Sequence, residues 1–375
     1  MEQGTRWHIV LNEHSGQGKA TEYHRLLLEL LSDAAIDSTL HRTAGQGDAG
    51  RIGVDILSTE TGTSTTTIVV IGGDGTLHEL INGIYPLPSS QRVEIVLIPS
   101  GTANALYHSL YPSTVNTPEF DRFLSVRSTL SFSTPSNAIP LSLLSVSTSA
   151  GKHLFYSHVV TSTSLHAQIL ETASSAEMRS QYPGTERFRA AAEMHLGQTY
   201  SAHVTLKPRD GHEGVQKWSL GKRDWETVST DEMTLSSTDF TYFVSTLVDR
   251  LEAQFRITPY SSPSSGRPAD AVDILLVRSR RDRGREEDGK RLFEVLMKAY
   301  EDGKHLDLTE TAGDRTELDK DWAGEQVVEY YRVGGYSWNP VSQSQSTIVS
   351  CGCYAHGSHF DKRYDRSTTM LDWFA

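Results

Sequence analysis

The sequence predicts an α/β protein with an N-terminal parallel-sheet domain followed by a second, mainly antiparallel β-sandwich domain. Three observations lead there. "TTTIVVI" and "VEIVLIP" are near-continuous apolar runs, each followed by a glycine-bearing loop and a helical pattern, as in a parallel sheet covered on both faces. After about Ser125 the texture changes to Ser/Thr-rich alternation of period two. A chain of 375 residues also exceeds what one core usually supports.

The elements follow in order. "RWHIVLN" reads as a strand, and "ATEYHRLLLELLSDA" carries Leu26, Leu27, Leu30 and Leu31 at helical spacing. "DSTLHRT" is a second strand and "GDAGRIGVDILST" a helix of weaker period. After "TTTIVVI", Leu77, Leu80, Ile81 and Ile84 fall at i, i+3, i+4 and i+7, so a helix begins near Thr76. "VEIVLIP" then leads into "ANALYHSL".

Beyond Ser125, "IPLSLLSVSTS", "KHLFYSHVVTSTS", "YSAHVTLKP", "VQKWSLG", "TDFTYFVSTLV", "AVDILLVRS" and "EQVVEYYRV" alternate as strands, with helices at "ERFRAAAEMHL" and "KRLFEVLMKAY". "SSPSSGRP" is a surface loop, and "RSRRDRGREEDGKR" reads as a solvated loop. From about Gly334 the chain has no sustained period. The expected division is therefore 1–125, 126–335, and a loosely ordered tail, 336–375.

Composition excludes several classes. Hydrophobic residues make 37% of the chain and no apolar run approaches the ~18 residues of a membrane span. The start lacks a charged segment followed by an apolar one, which predicts a cytoplasmic address. Cys351 and Cys353 support neither a disulfide framework nor a four-cysteine zinc site. A net charge of −12 argues against nucleic acid as the main partner, and confines any membrane contact to a local, peripheral one.

The joint "IGGDGT" places Gly72, Gly73 and Gly75 around Asp74 where a strand meets a helix. Glycines let another molecule approach the backbone, and first-turn amides carry partial positive charge, so such a joint seats phosphate. Asn12, Ser15, Gly16 and Gly18 in "NEHSGQGKA", and Ser100, Gly101, Thr102 and Asn104 in "PSGTANAL", repeat the device. One glycine turn needs no ligand. Three at the carboxyl edge of one parallel sheet predict convergence on a nucleotide. Neither G-x-x-x-x-G-K-[ST] nor G-x-G-x-x-G is present.

"GGDGTLHELING", with "NEHSGQGKA" upstream and "PSGTANAL" downstream, resembles the diacylglycerol-kinase catalytic-domain superfamily, which includes sphingosine, ceramide and bacterial lipid kinases. The resemblance runs over about residues 5–335. It implies an ATP-dependent lipid kinase with Mg2+, acting on a lipid hydroxyl at a membrane surface, with the active site in a cleft between its two domains. Asp74 then takes a catalytic or metal role, against the simpler reading that it caps the following helix. Thr43, Thr76 and Glu79 fall at nucleotide-contacting places. Arg179 and Arg187, in "SSAEMRSQYPGTERF", match phosphate-binding arginines, or are solvated helix charges. Asp270 and Asp273, in "RPADAVDILLV", match a strand that holds a structural Mg2+, although Ala271 replaces that motif's glycine.

The pattern fails in two places. No "DGE" follows "VVEYYRVGGYSWNP", where the family carries a terminal acid. "SLHAQILE" offers neutral Gln168 and Leu170, with Glu171 beside them, where sphingosine kinases place aspartates against the lipid ammonium; this leans toward a neutral lipid alcohol. His166 in that stretch reads as a hydrogen-bonded core histidine. Two rivals remain: an NAD kinase, which shares "GGDGT", and a nucleotide- or lipid-binding pseudokinase.

Overall fold

The computed structural model describes residues 6–16, 18–60, 65–87, 92–112, 121–131, 138–184, 186–228, 233–235, 238–261, 267–280, 284–310, 316–317, 325–342, 347–350, 353–356, 360–364 and 371–374. The chain divides into two compact units, Met1–Ser142 with Arg366–Ala375, and Leu143–Asp365.

The first unit alternates strand and helix: β1 (Arg6–Leu11), α1 (Ala20–Asp33), β2 (Asp37–Arg42), α2 (Asp48–Thr59), β3 (Thr66–Gly72), α3 (Asp74–Ile84), β4 (Val93–Pro99), α4 (Ala105–Leu110), α5 (Leu124–Ser131) and β5 (Ala138–Pro140). β1 pairs in parallel with β2 and β3, and β3 with β4. Every residue of β3 and β4 is buried, which is why Ile68–Ile71 and Ile95–Pro99 are unbroken apolar runs. Leu27 and Leu31 of α1 and Val126 of α5 close over Ile9, Val69 and Val96. On α2 and α3, Gly50 and Gly83 let two helix backbones meet, since a Cβ on Gly50 would lie 2.7 Å from the carbonyl oxygen of Glu79.

The second unit begins with β6 (Leu144–Thr148), β7 (His153–Ser157) and β8 (Val160–Ser162), then three helices, α6 (Leu165–Ala173), α7 (Ala176–Gln181) and α8 (Glu186–His195). It continues through β9 (Tyr200–Lys207), β10 (Val215–Ser219), β11 (Asp224–Val228), β12 (Thr238–Thr246), β13 (Val272–Arg278), α9 (Arg285–Ala299), β14 (Thr309–Glu310), β15 (Thr316–Glu317), β16 (Glu325–Gln326), β17 (Glu329–Val333), β18 (Gly335–Pro340), β19 (Thr347–Ser350), β20 (Cys353–His356) and β21 (Phe360–Tyr364). Among the described residues the main sheet is antiparallel and runs β11-β10-β17-β13-β12-β9-β18-β21-β6-β7. Phe240, Phe243, Tyr336 and Trp338 fill its core with tilted and edge-on ring contacts.

Three details depart from the sequence reading. The expected boundary at 125/126 falls inside α5, because Val126 is fully buried on the first sheet and the Ser125 hydroxyl accepts the Leu97 N–H at 3.1 Å. The tail is not loosely ordered throughout: β18 and β21 join the large sheet, and β22 (Leu371–Phe374) runs parallel beside β4. Strands of four to six residues are too short to show a period. The charged run is partly the first turns of α9. Its Asp288 is buried, accepting from the Ser279 hydroxyl and the Arg280 N–H, and its buried Arg291 pairs with Glu310.

Candidate functional site

The carboxyl ends of β1, β2, β3 and β4 are in register: Leu11 lies beside Ile71 and Arg42, and Gly72 beside Pro99. The three glycine joints therefore leave one sheet edge together, and they touch. A Cβ on Gly16, whose φ is +48°, would collide with the carbonyl oxygen of Ser100. A Cβ on Gly101 would lie 2.5 Å from the Cα of Gly73. These glycines are demanded by loop-against-loop packing, which brings the three main chains within contact of one another. Gly18, with φ +73°, instead faces open space. Gly72 makes room for Thr76, whose Cβ would lie 2.7 Å from a Cβ added there.

Side chains lock the joints. Asn12 donates from Nδ2 to Thr76 Oγ1 at 2.9 Å, while its Oδ1 accepts the His14 N–H at 3.1 Å. The Asn12 N–H reaches the Ile71 carbonyl at 3.0 Å. Asn104, in the left-handed region at φ 51°, accepts the Gly101 N–H at 2.9 Å and returns a bond to the Gly101 carbonyl at 2.8 Å. Thr43, just past β2, bonds through its N–H to the Leu11 carbonyl at 3.0 Å, beside the first joint.

Two features leave the joint short of partners. Neither α1 nor α3 has a side-chain cap; the residues before them are Lys19 and Gly73. First-turn amides of such helices need an external acceptor. Thr76 and Leu77 turn their N–H groups to the Gly73 carbonyl and the Asp74 N–H lies against its own carboxylate, which leaves that of Gly75 without an intrahelical acceptor. The Ser100 hydroxyl is buried with no hydrogen-bond partner among the described residues, and Ser15 is also buried, its hydroxyl 3.9 Å from where a Cβ on Gly73 would lie.

Asp74 Oδ2 accepts the Ala105 N–H at 2.9 Å and Oδ1 accepts the Leu106 N–H at 3.3 Å. The carboxylate thus caps α4, 31 residues away, and not α3 as the simpler reading expected. Burial pushes its proton affinity above the usual carboxylate range, opposed by the amides of Ala105, Leu106 and Asn104. A cavity of about 10 Å³, room for roughly one water, lies between Asp74, Gly72, Leu97, Pro99, Asn104 and Tyr107. Ala105, Leu106 and Tyr107 were invisible as site residues, because the first two act through main-chain amides that no residue type signals.

Other expected residues sit elsewhere. Glu79 accepts the Ala49 N–H at 3.3 Å and so caps α2. Thr102 is exposed at the tip of the third joint. Arg179 lies exposed on α7, and Arg187 lies on α8, donating to the Gly184 carbonyl at 2.8 Å with its guanidinium over Phe188. At the expected metal site, Asp270 and Asp273 have side-chain partners of their own. Asp270 pairs with Arg209 at 3.2 Å, and Asp273, fully buried, takes Arg332 Nε at 2.9 Å and the Tyr330 hydroxyl at 2.6 Å. Among the described residues no group of three or more His, Cys, Asp or Glu is arranged to hold a metal. His166 is pushed down to about 4 by burial, so it is neutral near pH 7.

The joints coincide with a family match: residues 6–128 fit the diacylglycerol kinase catalytic domain. Acylglycerol kinase, mitochondrial, of Xenopus laevis is 33% identical over 115 residues, 30% of this chain and 26% of that protein. Sphingosine kinase 1 of Homo sapiens is 31% identical over 158 residues, 39% of this chain and 38% of that one. The aligned stretches thus span between about a quarter and two fifths of these relatives. The fold extends further: a putative diacylglycerol kinase structure from Bacillus anthracis str. Sterne superposes with a TM-score of 0.56 at 14% identity, covering 98% of this chain and 97% of that one. Over residues 6–128 the chain is thus similar to the diacylglycerol kinase catalytic-domain superfamily.

Proposed function

We propose that the protein is a lipid kinase that moves the terminal phosphoryl group of ATP to the hydroxyl of a lipid alcohol. The observation that carries this reading is the meeting of three glycine joints at one sheet edge, with two uncapped helix N-termini and the partnerless buried Ser100 hydroxyl. Phosphate oxygens would satisfy these donors, at ~1.5–3 kcal/mol for each charge-assisted bond. Three such bonds give ~5–9 kcal/mol, much of it consumed by an association cost of ~4–15 kcal/mol, so the nucleoside contributes further contacts. Lys19, exposed beside Gly18 at the head of α1, adds a cation.

In the transfer the acceptor oxygen bonds to the γ-phosphorus and gives its proton to a nearby carboxylate or to water, the bridging bond to the β-phosphate breaks, and ADP leaves with that electron pair. Catalysis of this kind is mostly positioning and charge stabilisation. Mg2+, which the family implies, is usually held by one or two carboxylates, substrate phosphates and water. Asp74, whose oxygens each accept one main-chain N–H and keep a second lone pair, would hold the ion together with phosphate and water. On this reading the ion arrives on the triphosphate.

The acceptor is a neutral alcohol. On α6 the positions Gln168 and Leu170 are neutral, and Glu171 accepts from Gln168 at 3.2 Å, which favours an uncharged acceptor. Peripheral contact with a membrane follows from where such an acceptor resides. Among the described residues no helix is long and apolar enough to cross one.

A second reading, a nucleotide- or lipid-binding protein without turnover, is favoured by one feature. β18 carries no acid, and Glu329 of β17 is already bound by Arg278 and Tyr331. Full-length protein incubated with γ-labelled ATP and, separately, diacylglycerol, ceramide, sphingosine and NAD separates the readings. Label in a neutral lipid alcohol is expected. Label in NAD alone, or ATP binding with no transfer to any acceptor, overturns the lead.

A further inference from the structure

Away from the glycine joints, the parallel sheet carries a second cluster of polar side chains. β1 pairs with β2 so that His8 lies beside Thr39 and Val10 beside His41, which puts both histidines on one face of adjacent strands, two positions apart. Their rings stack with centroids 5.4 Å apart, and His8 Nδ1 lies 3.2 Å from His41 Nε2. The other nitrogen of His8, Nε2, meets Oε1 of Glu60 at 2.9 Å, at the end of α2. A carboxylate accepts, so Nε2 carries the proton and Nδ1 presents a bare lone pair to His41. His8 is buried, whereas His41 is only partly buried and stands on the edge strand β2.

We infer that His8 and His41 form a site for a divalent cation of the zinc or nickel class, with Glu60 as the outer carboxylate that orients His8. Two imidazole nitrogens on one tetrahedral zinc, each ~2.0–2.1 Å from the metal, lie roughly 3.3–3.4 Å from each other. The observed 3.2 Å is close to that spacing. A carboxylate on the far nitrogen of a ligating histidine fixes its tautomer and raises its basicity, which is the arrangement of Glu60 and His8. Without metal, His41 Nε2–H donates to His8 Nδ1. Binding replaces that bond: His41 carries its proton on Nδ1 instead, both lone pairs turn to the ion, and no proton is lost. Among the described residues no third ligand joins the pair, so water completes the shell and the ion is exchangeable, unlike a four-ligand structural zinc. Imidazole selects against Mg2+, which takes oxygen ligands, so this site is separate from the ion that accompanies a triphosphate. An ion held here pins the edge strand β2 to β1.

The test uses full-length wild type, H41Q and E60Q, freed of metal with a chelator and compared by equilibrium dialysis against zinc and by thermal melts, with Mg2+ as the control ion. The glutamine of H41Q can still donate to His8 Nδ1, so the metal-free variant is expected to melt close to wild type. H41N, on the same partly exposed position, repeats the comparison should H41Q fold poorly. Wild type is expected to bind one more zinc than H41Q and to melt higher when zinc is added, a rise that H41Q lacks. E60Q is expected to bind that zinc at least tenfold more weakly, as loss of an outer carboxylate does. Zinc bound in equal number and with equal affinity by wild type, H41Q and H41N overturns the site. Zinc affinity unchanged in E60Q overturns the role given to Glu60. A melting rise with Mg2+ that matches the rise with zinc, and that H41Q abolishes, overturns the choice of cation.

Discussion

Gly16 stands against the carbonyl of Ser100 so closely that no β-carbon fits between them, and its φ of +48° is one that L side chains rarely adopt. The first and third joints are thus in van der Waals contact through bare backbone. Gly18, two residues on, has a similar φ of +73° but open space where a Cβ would go. The two positions separate packing from conformational strain. G18A is expected to cost about 1–2 kcal/mol, the strain of a left-handed alanine. G16A carries the same strain and a collision with main chain. It is expected to destabilise the first unit by more than G18A and to abolish ATP binding, read by urea titration and equilibrium dialysis. Equal effects of the two substitutions would refute the contact.

Asn12 ties the first joint to α3 through Thr76 Oγ1. N12A removes that bond and the acceptor for the His14 N–H. The expected loss is about 1–2 kcal/mol of stability, with KM for ATP raised roughly fivefold to tenfold and kcat changed little, because the substitution loosens the seat and leaves reacting groups alone. N12D keeps the His14 acceptor and loses the donor to Thr76, so it should fall between wild type and N12A. A kcat collapse in N12A at unchanged KM would assign Asn12 to the chemistry.

How much of this was legible in the sequence depends on what carried the signal. Side-chain periodicity placed β3, β4 and the buried stripe Leu77, Leu80, Ile81 and Ile84 of α3, because burial on a sheet selects residue types at fixed spacing. The meeting of the joints was legible from their repetition at successive strand ends. The tie from Asp74 to Ala105 and Leu106 was not, since main-chain donors have no residue signature and a cap supplied from 31 positions away follows no local rule. The boundary at α5 was missed because a short helix with one fully buried apolar residue, Val126, has little periodicity to read. At Asp273 the motif suggested a metal. The ion pair with Arg332, 59 residues away, appears only once β13 and β17 are paired.

That pairing sets the next prediction. Asp273 is fully buried between Arg332 and the Tyr330 hydroxyl, and the Arg332 guanidinium also stacks 4.2 Å from the Trp225 ring. Removing one partner leaves a buried charge without compensation, so R332A is expected to destabilise the second unit by about 3–5 kcal/mol. At the partly exposed pair of Asp270 and Arg209, D270A is expected to cost about 1 kcal/mol or less. Thermal melts with and without millimolar Mg2+ complete the comparison. A melting temperature of the ligand-free wild type that rises with Mg2+, and fails to rise in D270A, would restore the metal reading.

The last prediction concerns acid. His305 is fully buried, its Nε2–H donating to the Ile257 carbonyl at 2.8 Å, and burial pushes its pKa down to about 4. His78 and His166 are likewise pushed down to about 4 by burial. In the unfolded chain each titrates near 6.5, so between about pH 6.5 and 4 the unfolded state binds protons that the folded state refuses. Stability present above pH 6.5 is therefore lost as pH falls through that window, by up to roughly 3 kcal/mol for a fully buried histidine such as His305. The check is urea unfolding of wild type and H305Q at pH 7.5 and pH 5. H305Q keeps a donor for the Ile257 carbonyl and cannot titrate, so its stability should fall less between the two pH values than wild type does. The same fall in both proteins would show that His305 takes up its proton without unfolding.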